Sequence, residues 1–336
     1  MKKSLSIKEI AALSGVSVAT VSRVLNDNGR FSEETRQKVL KVIKENNYQV
    51  NSIAQTLRSQ RSTTIGMIVP DIKNGFFANL INQIEATLFT RGYSTIICTT
   101  DKDSAKETAY LKALDAKLVD GLICISGQEY LDLSVMSRRI PLVCIDRNPN
   151  VKGEVGFVQS DNLTGGTVAS QHLISEGCQQ IAIVSKSDGP SSIQKRVEGA
   201  VNEINQHPNV NYQLLLSDRK DLSNYARGVD IAKELVKQTQ PVDGVFATND
   251  WLAWGIIQGL KDHGVHVPTQ VKVVGYDNDD ICEILQPSLT TISQNIPELA
   301  EEAANLLLKM IHIDNGNDGV IEKKRVPVEL IVRDSA

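Results

Sequence analysis

The first fifty residues carry a pattern of apolar positions that predicts three short helices. Apolar residues recur three and four positions apart, as they do on one face of an α-helix. The pattern predicts helices over 6–14 and 18–26, and a third helix that begins after Ser32. A serine precedes each helix at the N-cap position, where its hydroxyl accepts a hydrogen bond from the first turn: Ser6, Ser17 and Ser32.

A turn that contains Gly15 joins the first two predicted helices. Two short helices linked in this way are typical of the helix-turn-helix motif, whose second helix enters the DNA major groove by its N-terminal end. The outward side chains of the second helix are Val18, Ala19, Ser22 and Arg23. The predicted apolar face of the third helix comprises Val39, Leu40, Val42 and Ile43. An unrelated helical bundle is the alternative interpretation.

Charge is distributed unevenly along the chain. Residues 1–61 contain eleven lysine and arginine residues against five acids, a net charge of +6, and the remainder carries −10, which gives the overall −4. A basic segment on an acidic protein indicates contact with a polyanion such as DNA. Charge alone does not distinguish a DNA-binding surface from an ordinary solvated basic face.

After residue 62, apolar runs typical of strands alternate with amphipathic helical segments. The predicted strands are Ile65–Pro70, Ser94–Thr99, Gly121–Ile125, Leu142–Ile145, Ile181–Ser185, Tyr212–Leu216, Gly244–Ala247 and Val271–Tyr276. This alternation is typical of parallel sheets covered by helices on both faces, and the number of strands is enough for two sheets. Ligands of such folds bind beyond the carboxyl ends of the strands, so the residues there are candidates for a binding site.

Polar and aromatic side chains are concentrated at these predicted strand ends and early helical turns. The candidates are Asn74, Phe76, Phe77, Asp146, Arg147, Arg196, Asn249, Asp277 and Gln294. Carboxylates accept hydroxyl protons, guanidinium groups donate in a planar fork, amides do both, and aromatic rings cover the C–H side of a sugar. The set therefore predicts a site for a polyhydroxyl ligand. Singly, each residue also fits a structural role, such as a local Asp146–Arg147 ion pair.

Features that the sequence lacks argue against several other protein classes. No apolar run approaches the roughly 18 residues of a membrane helix, and charge interrupts the segment after Lys2 and Lys3 where a secretory signal would be apolar. The five cysteines are an odd number and favour buried thiols in the cytoplasm. There is no zinc spacing, no G-x-G-x-x-G after the first strand and no nucleophile–base motif. We therefore expect no metal, no cofactor and no catalytic residue.

The stretches SIKEIAALSGVSVATVSRVLN, SEETRQKVLKVIKENNYQVNSIAQTLRS and TTIGMIVPDI resemble the start of LacI/GalR-family transcriptional repressors. The resemblance covers essentially the whole chain and implies a sequence-specific repressor that binds operator DNA. Within the head, it implies DNA contacts by Ser17, Val18, Ala19, Thr20, Ser22, Arg23 and Arg30. Val18 and Ala19 match positions that touch base edges, and Arg23 lies beside them; a small apolar side chain suits a thymine methyl, and arginine suits guanine.

The segment Asn51–Gln60 resembles the hinge helix of that family. The resemblance adds four expected DNA contacts: Asn51, Ala54, Leu57 and Arg58. Leu57 matches a leucine that enters the minor groove at the operator centre and bends the duplex. Val50 stands where the family usually has proline, and an ordinary linker is the alternative interpretation.

The rest of the chain resembles the periplasmic sugar-binding fold, in which two lobes are hinged by three crossovers. The nine candidates above match the pattern of ribose binders in that superfamily, which implies ribose or a related pentose as the effector. Two departures stand out. Gly75 occupies the usual proline position of the N-x-F-F motif, and no aromatic residue clearly matches the one expected between Arg196 and Asn249, Tyr225 being the nearest.

The resemblance implies three domains: a helix-turn-helix DNA-binding head at 1–50, a hinge at 51–61, and an effector-binding and dimerisation body at 62–336. We expect lobe 1 of the body to comprise 62–161 and 294–320, and lobe 2 to comprise 162–293 and 321–336. The expected crossovers lie near Asp161–Asn162, Ser293–Asn295 and Gly319–Glu322.

The resemblance further implies a cytoplasmic homodimer that is released from a palindromic operator when a pentose binds between the lobes. Four alternatives stay open. Two are regulators of the same family that respond to a purine corepressor or to a phosphorylated carrier protein. The others are a sugar-binding receptor and a dehydrogenase. The sequence leaves open the operator sequence, and whether a free sugar or its phosphate is the effector.

Overall fold

Residues 5–25, 27–46, 48, 61–126, 128, 130–147, 149–187, 189–312 and 322–336 are described by the computed structural model. They divide into two units by their internal contacts, Met1–Ser62 and Thr63–Ala336. Within the described part of the chain, no helix is both long enough and apolar enough to cross a membrane.

The described residues of the first unit form three helices, as the apolar spacing predicts. They are α1 (Ile7–Ser14), α2 (Val18–Leu25) and α3 (Glu33–Glu45). Ser6 caps α1 in a reciprocal arrangement with Glu9, and Gly15 adopts a left-handed φ of 61° that ends this helix. Five residues form the buried core: Ile10, Ala11, Val21, Val24 and Val39.

One prediction for this unit is wrong. Leu40 is 43% exposed, although the helical pattern placed it on the inward face of α3. Val39 is buried there, and Val42 and Ile43 pack partly against the core. Leu40 therefore lies toward solvent, beside the face of α3 that packs on the core.

The second unit is built from strands that alternate with helices. The strands are β1 (Thr64–Val69), β2 (Ser94–Thr99), β3 (Gly121–Cys124), β4 (Tyr130–Leu131), β5 (Leu142–Ile145), β6 (Asn150–Val151), β7 (Gly156–Ser160), β8 (Gln180–Lys186), β9 (Asn211–Ser217), β10 (Gly244–Ala247), β11 (Lys272–Asp277), β12 (Thr290–Gln294), β13 (Lys323–Val326) and β14 (Val328–Ile331). The helices are α4 (Gly75–Thr90), α5 (Ser104–Ala116), α6 (Asn162–Ser175), α7 (Ser191–Ile204), α8 (Asn224–Leu235), α9 (Asp250–Asp262), α10 (Ile281–Ile284) and α11 (Ile296–His312).

Two six-stranded sheets organise this unit into two lobes. The first has the order β13-β7-β5-β3-β1-β2, and the second has the order β14-β12-β11-β10-β8-β9. All their pairings are parallel except that of β12 with β14, and helices cover both faces of each sheet. The predicted fold class, a helix-turn-helix head with a two-lobed doubly wound body, is confirmed. The strand order reverses beside β1 and β8, where ligands of such sheets bind.

The chain passes between the two lobes at three neighbouring places, which follow Ser160, Gln294 and Val326. The crossings are hydrogen-bonded to one another. The backbone N–H of Asp161 donates to the carbonyl of Val326 at 2.8 Å, and Ser160 Oγ donates to Gln294 Oε1 at 2.6 Å. The three connections therefore form one continuous hinge region.

The assignment of all residues from 321 onward to lobe 2 is wrong. Lys323–Val326 pairs in parallel with β7 and extends the first sheet, so the third crossing lies at Pro327 rather than near Gly319–Glu322. Only Val326 is buried in this edge strand. Three consecutive basic residues precede it, so the strand carries no alternating apolar pattern that a sequence could reveal.

Candidate functional site

The predicted DNA contacts of the head lie together on one face of α2 and in the loop after it. Val18 is 41% exposed, and Ser17, Ala19, Arg23 and Arg30 are exposed as well. Two further members, Thr20 and Ser22, are half-buried. A small apolar surface beside a guanidinium group is the combination that reads a thymine methyl and a guanine edge in the major groove.

Local contacts hold this face in position. Ser17 Oγ accepts the backbone N–H of Thr20 at 3.1 Å and lies 2.9 Å from its hydroxyl. The stem of Arg23 runs beside Gly29, where a Cβ would lie 3.2 Å from Arg23 Cδ, and Gly29 has a left-handed φ of 99°. The four predicted hinge contacts, Asn51, Ala54, Leu57 and Arg58, lie outside the described residues.

The second candidate site is a narrow cleft between the two lobes, with a cavity volume of about 100 Å³. The predicted effector residues that line it are Asn74, Phe76, Phe77, Asp146, Arg147, Arg196, Asn249 and Asp277. Most of them lie near the carboxyl ends of strands, while Arg196 lies within a helix, so the structure brings residues from five separate segments into one place.

Arg196 is the most constrained member of the cleft. Its Nε donates to Asn162 Oδ1 at 2.8 Å, and its Nη1 donates to the carbonyl of Thr248 at 2.8 Å and to Asp277 Oδ1 at 3.1 Å. The guanidinium carbon lies 3.7 Å from the centre of the Tyr276 ring. Hydrogen bonds and ring stacking together hold a buried positive charge in a single orientation.

Asp146 and Arg147 follow β5 in the other lobe. Asp146 has a left-handed φ of 64°, and Ser192 of the opposite lobe donates to its Oδ2 at 3.4 Å. Arg147 Nη1 donates to the carbonyl of Ser126 at 2.9 Å, and its guanidinium carbon lies 5.4 Å from the centre of the Phe77 ring. Burial lowers the pKa of Arg147.

Two buried polar atoms of this pair are unsatisfied. Arg147 Nε lies 3.7 Å from Asp146 Oδ2, which is the local ion pair that the sequence suggests. Among the described residues, however, neither Asp146 Oδ1 nor Arg147 Nε has a hydrogen-bond partner. A buried polar atom without a partner costs about 1–3 kcal/mol. An acceptor and a donor side by side in a cleft are suited to a ligand group that both donates and accepts, as a hydroxyl does.

Gln294 is the predicted effector residue that does not line the cleft. It is buried behind Asp277, and its Nε2 donates to Asp277 Oδ1 at 2.6 Å. Its Oε1 accepts from Ser160 at the hinge. The geometry gives Gln294 a supporting position, in which it orients Asp277 and ties that residue to the crossings.

Several residues of the cleft were not predicted as binding residues. They are Asp71, Lys102, Lys186, Pro190, Ser192, Ile193 and Asn224. Lys102 lies in the loop after β2 and Lys186 ends β8, so the strand-end rule could have found both. Asn224, rather than Tyr225, faces the cleft between Arg196 and Asn249; Tyr225 packs on Trp254 with 4.6 Å between ring centres.

Burial governs the charge state of the acids in lobe 2. It raises the pKa of Asp277 to about 6, and the neighbouring Asp146 carboxylate adds to this, against the lowering effect of Arg196. Burial and the Asp277 charge also raise the pKa of Asp250, which lies behind the site. Within the described residues, no three His, Cys, Asp or Glu side chains are placed to hold a metal ion.

Comparisons with known proteins identify both parts of the chain. The model of bacterial regulatory proteins of the lacI family matches residues 6–51, and that of the periplasmic binding protein-like domain matches residues 170–336. A ribose operon repressor from Halalkalibacterium halodurans is 34% identical over 98% of this chain and 96% of its own length. The chain belongs to the LacI family. It is a DNA-binding transcriptional repressor of that family.

Solved structures of the LacI family resemble the chain as well. A LacI family transcriptional regulator from Enterococcus faecium, crystallised with bound ribose, is 33% identical, with a TM-score of 0.70 over 81% of this chain and 98% of that chain. The lac repressor dimer bound to operator and the anti-inducer ONPF has a TM-score of 0.84 over 99% of both chains. It is 23% identical, so it shows the shared fold.

Proposed function

We propose that this protein represses a sugar-utilisation operon and that ribose, or a related pentose, binds between the two lobes and releases it from its operator. The observation that carries the proposal is the unsatisfied pair in the cleft, Asp146 Oδ1 and Arg147 Nε. A sugar hydroxyl can donate to the first and accept from the second. The ribose-binding relative and the ribose operon repressor described above support the same ligand class.

The remaining cleft residues fit a small sugar. Arg196 and Asp277 form a fixed donor–acceptor pair on the lobe 2 side. Phe76 and Phe77 lie against each other in the first turn of α4, with 5.4 Å between ring centres. Both belong to the buried core of lobe 1, at 4% and 9% exposure, and both line the cleft. Sugar recognition needs this combination, because each pyranose or furanose has polar edges and C–H faces.

On the DNA side, we propose a homodimer that presents two heads to a palindromic operator. One head reads only a few base pairs, and a second head on the symmetric half-site adds affinity and register. The head would comprise 1–50, the DNA-contacting hinge 51–61 and the effector-binding body 62–336. Because its target is chromosomal DNA, the protein would act in the cytoplasm, and binding rather than turnover would be its activity.

A phosphorylated pentose is a second candidate effector. Lys102 from lobe 1 and Lys186 from lobe 2 both line the cleft, and an anion would be attracted to them. Three carboxylates, those of Asp71, Asp146 and Asp277, line the same cleft and oppose an anionic ligand. Arg147 and Arg196 line the cleft too, so four cations stand against three carboxylates, and the net charge alone does not separate the sugar from its phosphate.

The proposal is tested by titration calorimetry of the full-length protein, followed by operator binding. Ribose, other pentoses, ribose 5-phosphate, purines and a phosphorylated carrier protein are titrated separately. We expect ribose to bind and, at saturation, to lower operator affinity by about 5- to 150-fold, the usual strength of allosteric coupling. Tight binding of a purine without a pentose response would contradict the proposal, as would operator affinity that saturating ribose leaves unchanged.

Sugar affinity should depend on pH through Asp277. Hydroxyl groups donate to the ionised carboxylate, so affinity is complete above the pKa of about 6 and falls as the pH falls through it. At pH 5 about one site in ten would be ionised, which predicts about tenfold weaker binding than at pH 8. Calorimetry at pH 6 in buffers of different ionisation enthalpy should detect net proton release on binding.

The matched variant is Asp277→Asn, which cannot ionise. The sugar that this variant still binds should release no proton on binding at pH 6. Proton uptake by the native protein, or the same release in the variant, would show that another group controls the pH dependence.

A further inference from the structure

Gly75 of lobe 1 and Asp279 of lobe 2 meet between the lobes, next to the cleft residues Asn74 and Phe76. A Cβ at Gly75 would lie 2.1 Å from Asp279 Oδ1 and 2.5 Å from its Oδ2. The carboxylate therefore occupies the space in which any other side chain would begin. Gly75 has a helical backbone, so the close approach, and not an unusual φ, is what requires glycine here.

The carboxylate of Asp279 is held in place from lobe 2. Trp251 Nε1 donates to its Oδ2 at 2.9 Å. The backbone N–H of Asp279 donates to Asp250 Oδ2 at 2.8 Å, and Thr291 Oγ1 donates to Asp250 Oδ1 at 2.5 Å. These bonds hold both the main chain and the side chain of Asp279. Its position against Gly75 is therefore set by hydrogen bonds within lobe 2.

The lobe 1 side of the contact belongs to the effector site. Gly75 is the first residue of α4, and Asn74 caps that helix by accepting the N–H of Phe77 at 3.2 Å. Asn74, Phe76 and Phe77 all line the cleft. A carboxylate at the first turn of a sixteen-residue helix is favoured by the helix dipole. The contact thus joins lobe 2 to the segment that supplies three cleft residues.

We propose that the Gly75–Asp279 contact holds the two lobes together over the cleft and thereby sets the affinity for the effector. Trp251 is its positioning residue. The effect on affinity rests on the proposed function, namely that the ligand binds between the lobes. Neither Gly75 nor Asp279 lines the cleft, so the contact acts on the arrangement of the lobes and not on the ligand.

A double-mutant cycle tests the effect on affinity, with ribose as the probe. Gly75→Ala places a methyl group on the carboxylate and should weaken ribose binding at least tenfold, although alanine is the better helix former. Asp279→Ala removes the Gly75–Asp279 contact and also the carboxylate that a side chain at position 75 would meet. It should weaken ribose binding by a smaller factor. The double variant should then match Asp279→Ala, because the added methyl group no longer meets an oxygen.

Two further variants serve as controls for the cycle. Asp280→Ala is the matched control, since it removes the same charge from the neighbouring, exposed residue and should leave affinity unchanged. Trp251→Phe keeps a ring but removes the Nε1 donor, and should reproduce part of the Asp279→Ala loss. Equal affinities of Gly75→Ala and the native protein, or strictly additive losses in the double variant, would overturn the proposal.

The contact itself is measured without any sugar. In the full-length protein, the backbone amide and Cα resonances of Gly75 should shift in Asp279→Ala and stay in place in Asp280→Ala. If they do not shift, the contact does not exist in solution and the proposal fails whatever the ligand is. If they shift but the native protein binds no pentose, the proposed effector is wrong and the inter-lobe contact stands.

Discussion

Replacing Arg196 with methionine is expected to lower the free energy of unfolding of the body by about 3–5 kcal/mol, the usual cost of removing one partner of a buried ion pair. Arg196 is 4% exposed and makes three hydrogen bonds, one of them to Asp277. The same change should abolish detectable ribose binding, because Asp277 and Asn162 lose the group that orients them. Urea unfolding and calorimetry measure the two effects.

Two variants control this experiment. Arg196→Lys retains the charge without the planar fork, so stability should recover in part while sugar binding stays poor. Arg219→Met removes an exposed arginine whose partners are Asp221 and Asp230, and should change neither quantity. Native-like ribose affinity in Arg196→Met would show that the ligand does not use this side of the cleft.

Replacing Arg23 with alanine is expected to weaken operator binding by about 1–3 kcal/mol, or about 5- to 150-fold, if its guanidinium reads a guanine edge. Arg23 is exposed on α2, beside Ala19. Because base contacts carry specificity, binding to unrelated duplex should change much less. Fluorescence anisotropy with operator and scrambled duplexes, at several salt concentrations, measures both affinities.

Lys41→Ala provides the comparison for Arg23. Lys41 is an exposed cation of the same head, on α3, within 3.9 Å of Glu45. Its loss should leave the ratio of operator to scrambled-duplex affinity unchanged. If Arg23→Ala weakens both duplexes equally and reduces the salt slope by about 0.9, Arg23 contacts a phosphate rather than a base.

Sequence reasoning located the cleft because the site follows a topological rule. Asp146 and Arg147 come directly after β5, and Asn249 is the second residue after β10, so the apolar strands in the sequence also mark the residues at their carboxyl ends. The resemblance to ribose binders added Arg196, which lies within a helix and is not marked by a strand end. The sequence suggested the Asp146–Arg147 ion pair, which the structure contains, but it did not reveal the partners of Arg196.

The failures have physical causes that are equally specific. The edge strand Lys323–Val326 carries three basic residues and forms through backbone pairing with β7, which leaves no apolar alternation in the sequence. Gln294 shows the limit of assigning a role by position, because the hydrogen bonds that place it behind Asp277 depend on the packing of two lobes. For the same reason, the sequence did not indicate a role for Asp279, because its contact with Gly75, about two hundred residues earlier, forms only in the folded protein.

The three adjacent crossings have a consequence for how this repressor moves. Hydrogen bonds from Asp161 to Val326 and from Ser160 to Gln294 couple the three connections, so we expect the connections to move together when the lobes rotate. A substitution at any one of the three connections, Pro327 included, should therefore change the rotation of one lobe relative to the other, and not only the local backbone.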